Sequence, residues 1–258
     1  MVRVAIYRYT PTQGLRYPKI IFIITMNPPV SRKPLTVRVA DVCFCHWPVD
    51  PAALERATPP WLTVERAADD AWLTAIHHTV EGVSAFGVDL SEPAESVTVR
   101  TYVTGPDGQR GLYFFAAFTT DPVASAAGPL LRLNYRDGRV ARRDADGDHH
   151  AERTLDVDDR RALTVRYTPG EEPRSTAPPD SLPAFFIERF RVFGDGPLGS
   201  KFVGHVGHDP WELGPVEATV EGDLPSALSL PEPVGDPLVH YSPGNELGVS
   251  PFRPLWLD

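Results

Sequence analysis

Apolar and polar positions alternate with a period of two along most of this chain, most clearly over Val97–Thr120, VTVRTYVTGPDGQRGLYFFAAFTT. Val97, Val99, Thr101 and Val103 interleave with Thr98, Arg100, Tyr102 and Thr104, the pattern of a strand with two different faces. Gly105-Pro106-Asp107-Gly108 supplies a turn, because proline presets φ and glycine accepts the left-handed position a hairpin needs. A four-residue turn sets Tyr102 opposite Leu112 and Arg100 opposite Phe114. The Arg/Tyr face is then shared with Leu112, Phe114, Ala116 and Phe118, which is an apolar face. A guanidinium aimed into apolar surroundings requires an anion or several acceptors. Arg100 therefore belongs either to an internal ion pair, with Glu188 as its candidate partner, or to a ligand pocket.

The same alternation predicts strands over Leu35–Trp47, Leu62–Arg66 and Ala71–Val80, with a short helix Pro51–Ala57 capped by Asp50. On the third of those strands Trp72, Thr74, Ile76 and His78 share one face, and Leu73, Ala75, His77 and Thr79 the other. A glycine-bearing loop over Glu81–Glu95 leads into the hairpin. Asp121–Leu131 opens with an Asp-Pro helix signal. Arg139–Arg143, His150–Asp156 and Ala162–Tyr167 read as three antiparallel strands with charged turns. Thr168–Asp180 divides the two halves of the chain, and Ala184–Phe193 follows as a helix or extended segment. Further strands are expected over Lys201–His208 and Val216–Val220, then a helical turn around Leu224–Leu228. Pairing ends with Leu238–Tyr241, before Ser242-Pro243-Gly244.

Length and composition sharpen that reading. A chain of 258 residues with 28 prolines and 20 glycines scattered between short apolar runs suits one large β domain or two small ones. The net charge of −9 would repel a phosphate backbone, so nucleic acid is not an expected partner. Cys43 and Cys45 lie two apart on one strand, at about 6.5–7 Å between Cα atoms, the far edge of disulfide geometry. They are expected as reduced, partly buried thiols of a cytoplasmic protein. Residues 1–34 read as an extension, disordered or a gene-start artefact with translation beginning at Met26, and residues 35–258 as the domain. The apolar run in YPKIIFIIT is far short of the roughly 20 residues a membrane span needs.

Several phrases in order then resemble a known family. CHWPVDP (45–51), PPWL (59–62), VRTYV (99–103), LNYRDGRV (133–140), FIERFRVF (186–193), GHDPWEL (207–213) and VHYSPG (239–244) are similar to the domain-of-unknown-function family 2071, within the acetoacetate-decarboxylase-like superfamily. The resemblance spans Leu35 to the C-terminus. It implies a mainly β fold, a closed or cone-like antiparallel β-barrel with a few short helices and an internal cavity. Acetoacetate decarboxylases use a lysine that forms a Schiff base with the substrate ketone. The comparable place here is Asn134-Tyr135-Arg136, and arginine stays protonated. With only Lys19, Lys33 and Lys201 in the chain, imine chemistry would require Lys201 to project into the cavity.

The candidate site follows from both lines. Arg100 or Arg136 would hold the anionic or polar end of a small organic ligand bearing a carboxylate or carbonyl. Tyr102, Tyr135 and Tyr113 are candidate donors, and Phe114 and Phe118 would take the apolar part. His240 and Tyr135 are the candidate proton carriers, although His240-Tyr241 also suits a structural tie of the terminal segment. No metal is expected. His77 and His78 point to opposite faces, His149/His150 lies in a charged turn, and His205/His208 spans Gly207. No dinucleotide or phosphate-cradling motif occurs, so no cofactor is expected. Three function classes remain at this point: a lyase-like enzyme without a covalent imine, a non-catalytic carrier or sensor, and an oligomeric interaction module.

Overall fold

The computed structural model describes residues 5–8, 35–128, 133–144, 150–172 and 174–255. In chain order the strands are β1 (Ala5–Arg8), β2 (Leu35–Val49), β3 (Thr63–Val64), β4 (Ala71–Ala85), β5 (Val88–Asp89), β6 (Ala94–Thr104) and β7 (Arg110–Thr119). They continue with β8 (Arg139–Asp144), β9 (Ala151–Val157), β10 (Arg160–Pro169), β11 (Ser175–Thr176), β12 (Arg191–Asp195) and β13 (Lys201–Gly207). The last are β14 (Glu212–Leu213), β15 (Val216–Gly222), β16 (Leu238–Val249) and β17 (Arg253–Pro254). Four short helices intervene: α1 (Pro51–Ala57), α2 (Pro122–Ala127), α3 (Leu182–Ile187) and α4 (Leu224–Ala227).

β6, β7, β12, β13, β16, β2 and β4 pair in that order, and β4 pairs again with β6, closing a ring of seven strands. The mainly β, ring-closed architecture is the one expected. One pairing is parallel: β12 lies beside β7, Val192 against Leu112 and Phe193 against Tyr113. The cause is the chain path, since after β7 it leaves to build a second sheet and returns through α3 to the same edge. That second sheet, β1-β15-β10-β9-β8, packs on the outside of the ring. Leu155, Val165 and Val220 meet Cys43, Val99 and Phe118 there in one apolar layer. Both cysteines are free, as expected, and fully rather than partly buried in it.

Local signals are met at several places. Asp50 accepts a 2.7 Å hydrogen bond from the Ala53 amide to cap α1. Gly108, at φ +75°, closes the hairpin turn. The segment over Glu81–Glu95 is not a loop, because β4 runs on to Ala85 and pairs with β5. Pairing likewise does not end at Tyr241: β16 continues through Ser242-Pro243-Gly244 to Val249. Gly244 permits this at φ +145°, where an added Cβ would sit 2.2 Å from the Val39 carbonyl oxygen. Gly244→Ala is therefore expected to destabilise by more than about 1 kcal/mol, read as a lowered urea midpoint with unchanged slope. The expected start at Met26 falls on residues outside those described.

Candidate functional site

α3 occupies one half of the ring. Its Phe185 and Phe186 pack with Trp72, Tyr102 and Phe44 in a filled aromatic cluster. Ser181 starts the helix by accepting a hydrogen bond from the Ala184 amide, and the proline at the first turn suits a position with no amide to satisfy. The other half of the ring is open, a cavity of about 410 Å³ walled largely by aliphatic side chains such as Val37, Val39, Val80, Val206 and Leu247. Arg100 stands where the two halves meet.

The Arg100 side chain lines the cavity at 8% exposure. Its Nη2 donates to the Phe186 carbonyl at 2.9 Å, near the C-terminal end of α3, where helical carbonyls lack partners within the helix. Its Nε has no hydrogen-bond partner, and no carboxylate pairs with it among the described residues. Burial lowers its pKa from the ordinary arginine value, an effect that nearby Tyr102 opposes. Arg189 also lines the cavity but is committed elsewhere. It donates to the Phe185 carbonyl at 2.8 Å and to Glu65 at 3.1 Å, and Glu65 is shared with Arg110 at 2.7 Å. Burial lowers Arg189 to about 10. Of these two guanidiniums, Arg100 is thus the one with unused donor capacity.

The expected register holds, with Arg100 opposite Phe114 and Tyr102 opposite Leu112. Beyond it a bulge at Phe115 makes Val99, not Thr98, the residue level with Ala116. The bulge reverses the faces of β7, so Phe114 lines the cavity while Phe118 points out into the layer shared with the second sheet. Phe118 is therefore not part of the aromatic wall. The side-chain amide of Asn134 donates to the Phe115 carbonyl at 2.8 Å and pins residues 133–136 along β7.

That pinning separates Tyr135 from Arg136. Tyr135 lines the cavity, and burial together with the nearby Asp121 carboxylate raises its phenol, so it is protonated at neutral pH. Arg136 is exposed and does not line the cavity. A loop segment carries no period from which the sequence could assign its sides. Tyr113 faces away from the cavity: its hydroxyl donates to Asp195 at 3.1 Å on the outer side of the ring. Tyr102 is fully buried behind Arg100, its hydroxyl 2.6 Å from Thr74 Oγ1, which in turn meets His46 Nδ1 at 2.8 Å. Glu188 does not pair with Arg100, since its carboxylate accepts the Trp211 amide at 3.0 Å and lies 4.0 Å from His208. His240 is buried among His46 and Phe186, outside the cavity lining, and burial pushes it down to about 3. It is uncharged at neutral pH and fits the structural tie better than the proton carrier. Lys201 projects beside the Trp61 ring at 5.5 Å rather than into the cavity, and Lys19 and Lys33 fall outside the described residues.

Several lining residues were not singled out from the sequence. Ser96 and Thr98 follow from Arg100 by the period of two, and His78 from its place on the Trp72/Ile76 face. Burial lowers His78 to about 4, reinforced by the charge of Arg153, so it enters the cavity neutral. His208 and Asp121 complete the polar lining and come from loops, for which no periodic signal exists. No His/Cys/Asp/Glu cluster able to hold a metal occurs among the described residues, and no helix there is long and apolar enough to cross a membrane.

Comparison with known proteins follows the same lines. The model of the DUF2071 family, described as an uncharacterized conserved protein, matches residues 36–246. The uncharacterized protein YqjF of Bacillus subtilis is 27% identical over 220 residues, 83% of this chain and 89% of that one. Among solved structures, the enduracididine biosynthesis enzyme MppR complexed with pyruvate superposes with a TM-score of 0.62 at 15% identity, covering 90% of this chain and 93% of that one. An acetoacetate decarboxylase-like enzyme from Sphingomonas wittichii RW1 gives 0.60 at 12% identity, covering 91% and 98%. At these identities the likeness is one of fold.

Proposed function

We propose, for a chain that belongs to the DUF2071 family of uncharacterized conserved proteins, that the ring cavity binds a small organic ligand through a carboxylate or carbonyl oxygen seated on Arg100. The observation that carries this reading is a guanidinium more than nine-tenths buried, facing an apolar cavity, with an unused Nε donor and no paired carboxylate among the described residues. Burying such a charge is costly unless an anion completes it. The α3 carbonyl offsets part of that cost, and an oxyanion would supply the remainder. The pyruvate complex of MppR, a protein of like fold, is consistent with an acid bound in such a ring.

A lyase-like reading that uses no imine is favoured by Tyr135. Its protonated phenol stands in the same cavity as Arg100; when the bond between the α-carbon and the carboxylate of a 3-oxo acid breaks and CO2 departs, it can give its proton to the enolate left behind and regain one from solvent. No lysine lines the cavity among the described residues, so this reading calls on no imine. Arg100→Met tests the binding reading. In a thermal-shift panel of monocarboxylates, at ligand near 100 times its Kd, the parent is expected to gain about 2.7 kcal/mol of stability and the variant none. Equal shifts in parent and Arg100→Met would refute the assignment.

A further inference from the structure

The cavity walls define the ligand more narrowly than its anionic end does. We infer that the ligand is an amphiphilic monocarboxylate with an extended apolar acyl or arylalkyl body, bound carboxylate-first; this rests on the Arg100 reading above. Three observations carry it. A cavity of about 410 Å³ has room for a ligand well beyond pyruvate in size. A pyruvate-sized acid would leave much of that space empty. Next, the strands β2, β4, β13 and β16 line the cavity mainly with valines and leucines, with Phe252 beside them, surfaces that reward a hydrocarbon, whereas the polar lining is confined to a few side chains such as Ser96, Thr98, His78 and Tyr135.

The third observation concerns charge. Arg189 is held by Glu65, which it shares with Arg110, so of the two lining guanidiniums Arg100 is the one with no carboxylate against it among the described residues. Asp121, also on the lining, would repel a second anionic group. A monoanion is matched, whereas a dicarboxylate or a phosphate dianion is overcharged for the site. In the bound state the carboxylate sits on Arg100 Nε and Nη, and the chain extends past Phe114 and Ile76 along the aliphatic walls. Each methylene buried there strengthens binding by up to about fourfold.

Isothermal titration of the full-length protein, first stripped of co-purifying lipid on a hydrophobic resin, tests this with pyruvate, hexanoate, octanoate, decanoate, sebacate and decanol. Affinity is expected to rise at least twofold per methylene from hexanoate to decanoate. Decanoate should bind at least tenfold more tightly than pyruvate or sebacate, and Arg100→Met should lower decanoate affinity at least tenfold while leaving decanol unchanged. Val37→Phe, which fills the cavity without touching Arg100, should weaken decanoate and spare pyruvate. Pyruvate binding as tightly as decanoate, with both dependent on Arg100, would overturn the chain-length inference and leave the carboxylate site standing. Decanoate affinity unchanged by Arg100→Met, or no binding of any acid, would overturn both.

Discussion

Replacing Arg153 with methionine is expected to cost about 3–5 kcal/mol and to leave the protein largely unfolded at 37 °C. Arg153, on β9, is fully buried between the ring and the second sheet. Its Nε donates to the Tyr167 hydroxyl at 3.0 Å, Nη1 to Glu95, and Nη2 to the Asp41 carboxylate at 2.8 Å and to Thr79 at 3.0 Å. Asp41 stands at a break in the β2–β4 register with φ +51°, and its backbone carbonyl takes a further bond from Arg153 at 3.0 Å. Burial alone would raise the Asp41 carboxyl, but the Arg153 charge and bonds from Tyr167 and Arg142 bring it below the ordinary range. Methionine retains much of the volume but takes the buried cation away from two partly buried carboxylates, leaving Asp41 with Arg142 and Tyr167 and Glu95 with the Thr79 hydroxyl. The loss is thus larger than that of an exposed ion pair such as Arg66–Glu55, whose removal should change stability by under about 1 kcal/mol. Urea unfolding of Arg153→Met against Arg66→Met measures both. A midpoint for Arg153→Met within error of the parent would show that the network contributes no net stability.

That network also marks where sequence reading stops. The β6–β7 hairpin was legible because alternation and turn residues point to one register, and Arg100 opposite Phe114 followed from them. The bulge at Phe115 was not, because one inserted residue carries no compositional mark among Tyr113, Phe114 and Phe115. Everything beyond the bulge changed face, so Phe118 left the pocket. Arg100 was legible as a residue needing an anion, but its nearest acceptor, the Phe186 carbonyl, lies 86 positions away and depends on α3 entering the ring. The same insertion explains Tyr102, on the correct face yet behind the filled half. Tyr135 and Arg136 are adjacent in a loop, and only the contacts along β7 decide which of them enters the cavity.

Acid is expected to unfold the protein well above the pH at which its carboxylates titrate. His46, His77 and His240 are nearly inaccessible to solvent, and His78 faces the apolar cavity. Burial is the leading cause that lowers all four, His78 to about 4 and His240 to about 3. Both ring nitrogens of His77 and the Nε2 of His46 have no hydrogen-bond partner among the described residues, so no acceptor stands ready for an added proton. In the unfolded chain each imidazole titrates near 6.5. Above about 6.5 both states are neutral at these sites and stability is at its full value. As pH falls below it, the unfolded chain takes up protons that the folded one refuses, and stability declines until the folded pKa values are reached. Each imidazole kept neutral by burial contributes a slope of roughly 1.4 kcal/mol per pH unit, so His78 and His240 together approach about 2.5 kcal/mol per unit between pH 6 and 5, and His46 and His77 act in the same direction. Asp41 acts only lower down, below about 4, where the unfolded carboxyl takes up a proton that the depressed folded one refuses. Urea midpoints measured from pH 7.5 to 4.5 should therefore be flat at first and then fall steeply, and His240→Phe should reduce the steep portion by about one proton. A profile that stays level to pH 5 would mean that these rings accept protons in the folded state, which only water or a ligand reaching the ring interior could allow.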